Sequence, residues 1–235
     1  MRKATLADAR MLSSNVRELT FAVGQDFGFE PGQWVNLYFP EVRNDQGNPL
    51  KRAYSIASGP RNDGTFDLAV TRVTDGPGST GLHSAMIGQT FTMSGPHGVF
   101  VLASMIRPVL MVATGTGVAP FRSMLHAVAE CAMQPMALLF GVRDEPDILY
   151  RDEFEGLAQL SPLFSFYPIL SRANPRFSGK RGHVQMHLNQ VLIDLGGTNC
   201  DVYVCGLAKM VQDVRRILLQ DLGVERKSIH IERYD

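Results

Sequence analysis

The sequence predicts an antiparallel β-barrel domain followed by an α/β domain built on a parallel sheet. Two observations point to this fold class. Residues 10–102 contain short β-rich runs separated by turn residues, whereas from Pro108 onward apolar runs alternate with helical segments. Frequent turns between short strands are typical of antiparallel barrels, and uninterrupted apolar runs joined by helices are typical of buried parallel strands. We therefore predict two domains, residues 1–103 and residues 104–235.

Strands and turns alternate through the predicted barrel. β-branched and aromatic residues are concentrated in short runs, and turn residues such as Pro31 and Gly32 separate them. Residues 79–87 carry Leu82 and Ala85 at helical spacing and predict a short helix. The predicted strands are residues 16–23, 33–39, 51–56, 66–73 and 89–94.

The predicted α/β domain repeats a strand followed by a helix. Its first strand is entirely apolar, as expected of a strand covered on both faces. Strands that alternate with helices pair in parallel. The predicted strands are residues 109–113, 136–141, 164–170 and 202–205, and the predicted helices are residues 118–132, 150–160, 184–193 and 209–222.

The composition describes a folded and electrically balanced chain. Of its 235 residues, 45% are hydrophobic and 20% are charged, and the 23 Lys and Arg residues equal the 23 Asp and Glu residues. A net charge of zero gives no general electrostatic reason to bind nucleic acid or an anionic membrane. No apolar run approaches the roughly 18 residues of a membrane-spanning helix. We therefore expect no nucleic acid partner, no membrane contact and a cytoplasmic location.

The three cysteines, Cys131, Cys200 and Cys205, argue against two classes of protein. They are too few for a disulfide framework, and their odd number suits a reducing compartment. They are also too few for the four thiolates of a common iron–sulfur cluster. If this protein moves electrons, an organic cofactor must carry them.

Three residue types on one predicted barrel strand suit a planar cofactor. Arg52, Tyr54 and Ser55 offer a cation for phosphates, an aromatic ring for stacking and a hydroxyl for a ring heteroatom. Alternation along the strand places Arg52 and Tyr54 on one face and Ser55 on the other. The alternative is that Tyr54 is a core residue of the barrel.

Two glycine-containing turns precede predicted helices, where free backbone N–H groups bind phosphates. The first is Gly76-Pro77-Gly78-Ser79-Thr80 in the barrel, and the second is Thr114-Gly115-Thr116-Gly117 after the first apolar strand. The second turn departs from the full dinucleotide fingerprint, because Pro120 stands where the third glycine is expected. A purely structural turn is therefore the alternative. The sequence has no GxxxxGK[ST] loop, which disfavours phosphoryl transfer by that route.

Five motifs then occur in one order along the chain. They are Arg52-x-Tyr54-Ser55, Gly76-x-x-Ser79-x-x-Leu82, Gly95-Pro96-x-Gly98-x-Phe100, Gly115-Thr116-Gly117-x-Ala119-Pro120-Phe121-Arg122-Ser123 and Cys205-Gly206-Leu207. In this order they resemble the ferredoxin–NADP reductase family over essentially the whole chain. In that family a β-barrel holds FAD and an α/β domain binds NADP(H) or NAD(H). The resemblance therefore implies a flavin domain at residues 1–103 and a nucleotide-binding domain at residues 104–235.

The resemblance implies a role for each matching residue of the barrel. Tyr54 would stack on the isoalloxazine ring, Ser55 would lie near flavin N5, and Arg52 would bind the phosphates together with the glycine–serine turn. The further FAD contacts that it implies are Ala53, Val70, Arg72, Val73, Gly78, Ser79 and Thr80.

In the second domain the resemblance places the nicotinamide nucleotide on the turn Thr114-Gly115-Thr116-Gly117 and the Cys205-Gly206 pair beside the nicotinamide. Family members often finish with a Glu-x-Tyr pattern, which Glu232 and Tyr234 match. Tyr234 would shield the isoalloxazine and move to admit the nicotinamide, and Glu232 would take part in proton handling. The alternatives are a small buried residue for Cys205 and a frayed tail for the C-terminal segment.

A basic segment favours NADP(H), with NAD(H) as the alternative cofactor. No acidic residue occurs from 171 to 183, and several cations there suit a 2′-phosphate. An NAD enzyme more naturally places an acidic residue against the ribose 2′-hydroxyl. The alternative is a solvated basic loop. The predicted contacts on the adenosine side are Arg143, Ser171, Arg172, Lys180 and Arg181.

His183 and His187 are four residues apart on a predicted helix, a spacing that metal sites also use. Val184 stands where a zincin has its catalytic glutamate, and no third ligand is near in sequence. We therefore predict no metal site.

Together these observations predict a flavoprotein reductase that transfers a hydride from NADPH to FAD and then passes single electrons to a ferredoxin or a flavodoxin. The alternatives are an NAD(P)H-dependent reductase component of an oxygenase or P450 system, and an electron-transfer subunit of a larger dehydrogenase. Ferredoxins and flavodoxins are usually acidic, so a local positive face would attract them. The residues proposed for that face are Arg2, Lys3, Arg43, Lys51 and Arg61.

Overall fold

The computed structural model describes residues 1–43, 46–103, 105–128 and 133–234. Two compact units form within it. The first contains Met1–Val101 with Ala119–Ala127, and the second contains Leu102–Val118 with Val128–Asp235. The domain boundary after residue 103 stays a prediction, and the structure adds that a helical stretch beyond it packs within the first unit.

The first unit is a closed antiparallel sheet. Its strands are β1 (Arg2–Met11), β2 (Val16–Ala22), β3 (Trp34–Arg43), β4 (Pro49–Ser55), β5 (Thr65–Thr71) and β6 (Thr90–His97), and its short helix is α1 (Pro77–Ser84). They pair in the order β4-β3-β6-β1-β2-β5. The edges meet, because Ile56 bridges Leu68 and the Ala57 N–H donates to the Asp67 carbonyl oxygen at 2.8 Å. This closure confirms the predicted antiparallel barrel.

Alternating burial explains which face of the barrel sheet forms the core. Along β3, Val35, Leu37 and Phe39 are buried, whereas the residues between them are partly exposed. The inward side chains join a cluster that includes Phe21 and Phe66. Burying such a side chain contributes roughly 1.5–3 kcal/mol. A shift of register by one residue would expose the whole apolar set, so the alternation fixes the pairing.

The strand β1 was missed by the sequence analysis. It lies inside the sheet between β2 and β6 and buries Ala4 and Leu6 completely. Its pairing register with β2 then shifts between Leu6 and Asp8. A two-residue repeat that is interrupted after two buried positions is too short to identify a strand by pattern alone.

The second unit is built on a parallel sheet. Its strands are β7 (Val109–Thr114), β8 (Met136–Val142), β9 (Phe164–Leu170), β10 (Lys180–Arg181), β11 (Asp201–Leu207) and β12 (Ile229–Tyr234). They pair in the order β10-β9-β8-β7-β11-β12, and every pair is parallel. The predicted α/β domain with a parallel sheet is therefore confirmed.

The helices differ from the predicted ones mainly at their ends. A 3-10 turn at Gly115–Val118 precedes α2, and another at Val184–His187 precedes α4. A π-helical turn, Ile217–Asp221, follows α5. Residues 129–132 of the predicted first helix, with Cys131, lie outside the described residues. The helices are α2 (Ala119–Val128), α3 (Arg151–Leu160), α4 (Leu188–Asp194) and α5 (Ala208–Arg216).

The C-terminal segment is a strand, so the alternative of a frayed tail was wrong. β12 pairs with β11 from Val202–Ile229 to Leu207–Tyr234. The described part of the chain has no helix that is long and apolar enough to cross a membrane.

The strand order reverses between β7 and β11. In open α/β sheets, ligands bind beyond the carboxyl ends of the strands at such a reversal. β7 ends at Thr114, directly before the predicted glycine turn, and β11 ends at Leu207, directly after Cys205 and Gly206. The fold therefore places two of the predicted nucleotide-binding segments at the expected edge of the sheet.

Candidate functional site

The end of β4 presents the aromatic ring of Tyr54 in the first unit. The Tyr54 side chain is partly exposed and packs against the barrel core. Burial raises its pKa to about 12, although the charge of Arg52 opposes this rise, so Tyr54 stays a neutral phenol at physiological pH. Arg52 is exposed. A partly covered neutral ring beside an exposed cation suits the stacking of a planar ring that carries phosphates.

Ser55 has a different environment from Tyr54. It is buried and lies opposite Trp34 in the ladder, whereas Tyr54 lies opposite Val35. Residues that are directly opposite each other share one face of a sheet. Ser55 and Tyr54 therefore project to different faces, as the sequence analysis expected from strand alternation.

The turn before α1 is closed by the Ser79 hydroxyl. This hydroxyl accepts a hydrogen bond from the Val73 N–H at 3.0 Å and donates one to the Gly76 carbonyl oxygen at 3.0 Å. The side chain is therefore used within the turn. The first-turn N–H groups of Gly78 and Ser79 have no acceptor within the helix, which leaves them for an anion.

The structure brings Arg52 to this turn. A Cβ atom added to Gly78 would lie 3.2 Å from Arg52 Cγ and 3.3 Å from Phe39 Cε2. Arg52 is thus in contact with the N-terminus of α1. The two phosphate-binding elements that the sequence predicts, Arg52 and the glycine–serine turn, therefore lie together. A cation and orphan helix amides at one position fit the phosphates of FAD.

The other predicted FAD contacts of the first unit differ in exposure. Val70 is buried in the barrel core, and its carbonyl oxygen lies 2.9 Å from His83 Nε2. Its side chain is therefore not presented to solvent. The remaining four are exposed, namely Ala53, Arg72, Val73 and Thr80.

In the second unit, two glycines allow the end of β7 and the turn after it to pack closely against the end of β11, at the reversal of strand order. A Cβ atom on Gly117 would lie 2.4 Å from the Cys205 carbonyl oxygen. A Cβ atom on Gly206 would lie 2.4 Å from Thr114 Oγ1. These distances are far below van der Waals contact, so no side chain fits at either position. The backbone of this edge is therefore free to approach a ligand.

Thr114 supplies a polar group at the same edge. Its Oγ1 atom is buried and has no hydrogen-bond partner among the described residues. A buried hydroxyl without a partner costs free energy, so such groups commonly serve a ligand. Gly115, next in the chain, is exposed with φ at +55°. The glycine cradle and the orphan hydroxyl fit a nicotinamide dinucleotide.

Cys205 lies at the centre of this edge, beside Glu232 and Tyr234. It is fully buried and pairs with Glu232 across the β11–β12 ladder. Burial and the nearby Glu232 charge raise the pKa of its thiol well above the usual value, and a hydrogen bond with Tyr234 opposes this. The thiol is therefore neutral at physiological pH and is no nucleophile. The structure thus brings Cys205, which was predicted beside the nicotinamide, together with Tyr234 and Glu232, which were predicted to shield the isoalloxazine and to handle protons.

A separate cavity of about 560 Å³ lies beyond the carboxyl ends of β8 and β9. It contains Arg172, but acidic side chains line it too: Arg151 donates to Glu145 at 2.6 Å and to Glu155 at 2.7 Å. The lack of acidic residues within 171–183 therefore does not extend to the neighbouring loop. The lining residues are Asp144, Glu145, Pro146, Arg151, Arg172 and Asn174.

The other basic residues of this segment are used differently. Arg181 donates to the carbonyl oxygens of Asn174, Pro175 and Phe177 at 2.9–3.1 Å, so it clamps its own loop. Lys180 Nζ lies 5.2 Å from the centre of the Tyr167 ring. The geometry leaves Arg172 as the best-placed cation of the cavity, with Ser171 held by its N–H to the Val142 carbonyl oxygen.

His187 is also part of this loop structure. Its Nε2 atom lies 2.8 Å from the Arg181 carbonyl oxygen. Within the described ranges, no group of three or more potential metal ligands comes together.

Sequence reasoning gave no role to Arg122, although it quoted this residue within a motif. In the structure Arg122 is buried between carboxylates. The available signal was a charged residue in the run from Val118 to Leu125, in which every other residue except Ser123 is apolar. Its acidic partners are distant in sequence and could not be identified without the fold.

Comparison with known proteins gives the class of this chain. Residues 3–102 match a family model described as an oxidoreductase FAD-binding domain, and residues 111–216 match one described as an oxidoreductase NAD-binding domain. The chain is therefore an oxidoreductase with an FAD-binding part and a nicotinamide-nucleotide-binding part. Both predicted cofactor classes are confirmed.

Individual relatives narrow this class. Ferredoxin–NADP reductase B of Sorangium cellulosum (strain So ce56) is 48% identical, over 99% of this chain and 97% of that protein. The chain belongs to the ferredoxin–NADP reductase family, as its motifs predicted. The toluate 1,2-dioxygenase electron transfer component of Pseudomonas putida is 30% identical, over 99% of this chain but 67% of that protein.

Solved structures agree on the fold. A ferredoxin NADP⁺ reductase from Neisseria gonorrhoeae, with bound FAD and NADP, superimposes with a TM-score of 0.83 at 22% identity. The match covers 98% of this chain and 97% of that one. At this identity the likeness concerns the fold alone.

Proposed function

We propose that this chain transfers a hydride from NADPH to FAD and passes single electrons on to a ferredoxin or a flavodoxin. The observation that carries the proposal is the edge of the parallel sheet, where Gly117 and Gly206 leave no room for a Cβ atom and the buried Thr114 hydroxyl has no partner among the described residues. The relative with 48% identity, named a ferredoxin–NADP reductase, supports the nature of the reaction.

In the first unit the proposed roles are binding and orientation. Tyr54 covers one face of the flavin ring, and Ser55 provides a hydroxyl near the flavin N5 atom. Arg52 and the first-turn amides of α1 hold the phosphates, since they meet at one place. When bound, FAD supplies the chemistry that side chains lack, because it accepts a hydride and releases electrons one at a time.

In the second unit the proposed roles follow from the neutral Cys205 thiol. A buried thiol with a raised pKa does not attack, so Cys205 contributes shape beside the nicotinamide. Thr114 and the Gly115–Val118 turn bind the nucleotide through a hydroxyl and backbone amides. Tyr234 occupies the ring position until the nicotinamide enters. Glu232, paired with Cys205, holds a proton-accepting carboxylate at this edge.

Two substitutions test these roles. We expect Ser55→Ala and Cys205→Ala each to slow flavin reduction by NADPH about 10-fold or more, because positioned groups contribute to catalysis through geometry. Stopped-flow absorbance measures the rate, and the flavin spectrum shows that FAD stays bound. Ser84→Ala on the exposed side of α1 serves as a control. Unchanged reduction rates in both variants would remove Ser55 and Cys205 from the site.

The preference for NADPH over NADH is proposed to depend on Arg172. Arg172 lines the cavity beside the strand ends, where a 2′-phosphate would need a cation. Asp144 and Glu145 line the same cavity and would instead accept a ribose hydroxyl. Arg172→Ala is expected to lower kcat/KM for NADPH about 10-fold and to leave that for NADH within twofold. Arg176→Ala, an exposed change in the same loop, is the matched control. Equal losses with both nucleotides would contradict the assignment.

The partner face is proposed to lie on the outer surface of the barrel. Lys51, Tyr38, Thr92 and Lys3 are opposite one another across β4, β3, β6 and β1, so they form one row on one face. Two other proposed cations are already neutralised: Arg2 pairs with Asp26 and Arg61 pairs with Asp67, each at 2.6 Å. The proposed face therefore depends on the lysines at the two ends of this row.

Salt dependence tests this face. An acidic carrier should be reduced more slowly as ionic strength rises, because screening weakens its attraction to the lysines. Lys3→Gln with Lys51→Gln should weaken that dependence, and Lys227→Gln in the second unit should not. Reduction of a ferredoxin and of a flavodoxin by the same enzyme would rank the two carriers. A rate that is independent of salt would contradict electrostatic docking on this face.

A reductase component of an oxygenase is the second candidate, and the dioxygenase electron transfer components favour it. The chain spans 67%, 53% and 59% of three such relatives. Assaying the chain with ferredoxin alone and with a purified oxygenase system separates the two functions. Turnover that requires the oxygenase, with little reduction of free ferredoxin, would support the second candidate.

A further inference from the structure

Arg122 is the central cation of a buried ion cluster in the first unit. Its Nη1 atom lies 3.3 Å from Glu18 Oε1, 3.2 Å from Asp67 Oδ2 and 3.3 Å from the Ala57 carbonyl oxygen. Arg122, Glu18 and Asp67 are 6%, 5% and 3% exposed. One side chain of α2 therefore binds β2, β5 and the segment that follows β4.

Two further arginines complete the cluster from the surface. Arg61 donates twice to Asp67, at 2.9 and 2.6 Å, and Thr20 donates to Asp67 at 2.8 Å. Arg10 donates to Glu18 at 2.5 Å. Burial alone would raise the pKa of Asp67. The hydrogen bonds from Arg61 and Thr20, together with the charges of Arg61 and Arg122, instead hold this pKa below its usual value. Asp67 is therefore ionised, and the carboxylates of Asp67 and Glu18 are shared among three guanidinium groups.

Such a cluster is a poor source of stability. Removing charges from water costs several kcal/mol per ion, and apolar replacements of buried ion pairs are often neutral or stabilising. What a multidentate guanidinium provides is fixed geometry, since its donors are arranged in a rigid plane. The role of Arg122 therefore depends on which segments of the chain its guanidinium group connects.

The segments held by Arg122 adjoin both proposed cofactor sites in the chain. Ala57, whose carbonyl accepts from Arg122, is two residues beyond Ser55. The next residue, Ser58, accepts the Asp67 N–H at 3.0 Å, so this stretch is tied to the cluster twice. On the other side, α2 begins at Ala119, directly after the Gly115–Val118 turn.

We propose that Arg122 is a positioning residue for hydride transfer, which fixes the start of α2 to the strand segment that carries Ser55. Through α2 it fixes the residues that directly follow the glycine turn in the chain, and through Ala57 it fixes the segment that directly follows Ser55. The inference rests on the proposed transfer from NADPH to FAD.

Arg122→Met keeps an unbranched apolar stem and removes the guanidinium group with its contacts to Glu18, Ala57 and Asp67, so it is the main test. The limiting rate of flavin reduction at saturating NADPH, measured at 10 °C on FAD-loaded protein, is expected to fall at least 10-fold. Hydrogen exchange of the α2 amides, measured with FAD bound and without NADPH, is expected to become at least 10-fold faster. Arg122→Lys keeps the charge but not the planar guanidinium group. Its limiting rate and its α2 exchange rate should both lie between those of Arg122→Met and the wild type.

Arg107→Met is the matched control. Arg107 pairs with Asp201 and donates to Ser228 at 3.2 Å, away from both proposed cofactor segments in the chain. It should lower the melting temperature and leave the limiting rate within twofold.

The outcomes separate this inference from the proposed function. If Arg122→Met binds FAD and its limiting rate and α2 exchange stay within twofold of wild type, Arg122 has no positioning role. Equal losses of rate in Arg122→Met and Arg107→Met would also overturn it. If Arg122→Met does not fold, Arg122→Lys decides by the same two measurements. If the wild type itself is not reduced by NADPH, the proposed function fails instead, and α2 exchange still reports whether Arg122 fixes the helix.

Discussion

The two glycine turns of this protein are held by different forces. The turn before α1 is closed by hydrogen bonds, since the Ser79 hydroxyl bridges Val73 and Gly76. The turn after β7 is held by close packing, since Gly117 leaves no room for a Cβ atom against the Cys205 carbonyl. The first turn therefore depends on a side chain that is present, and the second on a side chain that is absent.

This difference predicts how strongly each turn responds to a substitution. Hydrogen bonds lost from a partly exposed turn are replaced in part by water, so their loss costs about 1 kcal/mol each. Two backbones pressed together cannot yield without moving the strands of a packed sheet. The same small substitution should thus have unequal effects at the two turns.

The largest effect is expected for Gly117→Ala. Its Cβ atom would lie 2.4 Å from the Cys205 carbonyl oxygen, so the Gly115–Val118 turn must move away from the end of β11. We expect the free energy of unfolding to fall by about 3 kcal/mol and NADP⁺ binding to be lost. Urea unfolding and nucleotide titration measure the two effects.

Gly115→Ala is the control for this prediction. Its Cβ atom would meet open space, and only the φ of +55° is unfavourable. The cost is then roughly 1 kcal/mol. If the two variants were equally stable, close packing would not be what holds this turn.

The next effect is expected for Ser79→Ala in the first turn. It removes both closing hydrogen bonds and leaves the Val73 N–H without its acceptor. Unfolding should become easier by about 1–2 kcal/mol, and FAD should bind roughly 10-fold more weakly. Fluorescence titration of the apoprotein with FAD measures the affinity.

Ser84→Ala tests the same helix without touching the turn. Ser84 donates to the Thr80 and Gly81 carbonyl oxygens and is exposed. Stability should change by less than about 0.5 kcal/mol. A loss as large as that of Ser79→Ala would show that α1 as a whole, and not its turn, limits FAD binding.

Alkaline pH is expected to act on the second turn through Cys205. The pKa of this thiol is raised in the folded protein, whereas an unfolded cysteine deprotonates near about 8.5. The neutral thiol therefore contributes fully to the free energy of unfolding below that pH, and this contribution is lost as the pH rises. The free energy of unfolding then falls by at most about 1.4 kcal/mol per pH unit. Cys205→Ser should remove this slope in urea unfolding between pH 9 and 11.

Cys200 provides the comparison, because burial raises the pKa of its thiol only to about 11. Cys200→Ser should remove a decrease in the free energy of unfolding that stops near pH 11. Identical alkaline profiles for Cys205→Ser and the wild type would contradict the assigned environment of Cys205.

Among the substitutions within the two turns, the smallest effect is expected for Gly78→Ala. Its Cβ atom would lie 3.2 Å from Arg52 Cγ and 3.3 Å from Phe39 Cε2, which belong to side chains that can shift. Alanine also favours a helix over glycine by about 1 kcal/mol, which offsets the crowding. Stability should therefore change by less than about 1 kcal/mol in urea unfolding. A loss approaching that of Gly117→Ala would remove the distinction between the two turns.

Much of the fold was predictable from local patterns. Apolar runs such as Val109–Thr114 and alternation such as that in β3 identify buried strands without any partner, and both sheet types were confirmed. β1 was missed because its pattern is interrupted after Leu6. β12 was not predicted as a strand, because its pairing with β11 is a contact that sequence alone does not show.

The candidate site was predictable only where short motifs carry it. The roles of Tyr54, Cys205 and their neighbours stay predictions, but their positions follow from strand ends. The cavity with Arg172 could not be foreseen, because Asp144 and Glu145 reach it from another loop. The same holds for Arg122, whose carboxylate partners are 104 and 55 residues away in sequence.

The ladder between β11 and β12 ends at the Leu207–Tyr234 pair, and Glu232 lies two pairs further back, opposite Cys205. Opening the terminal rung alone would release the backbone of Tyr234, while the Cys205–Glu232 rung behind it stays paired. The proposed movement of Tyr234 therefore leaves the backbone position of Glu232, the proposed proton acceptor, unchanged.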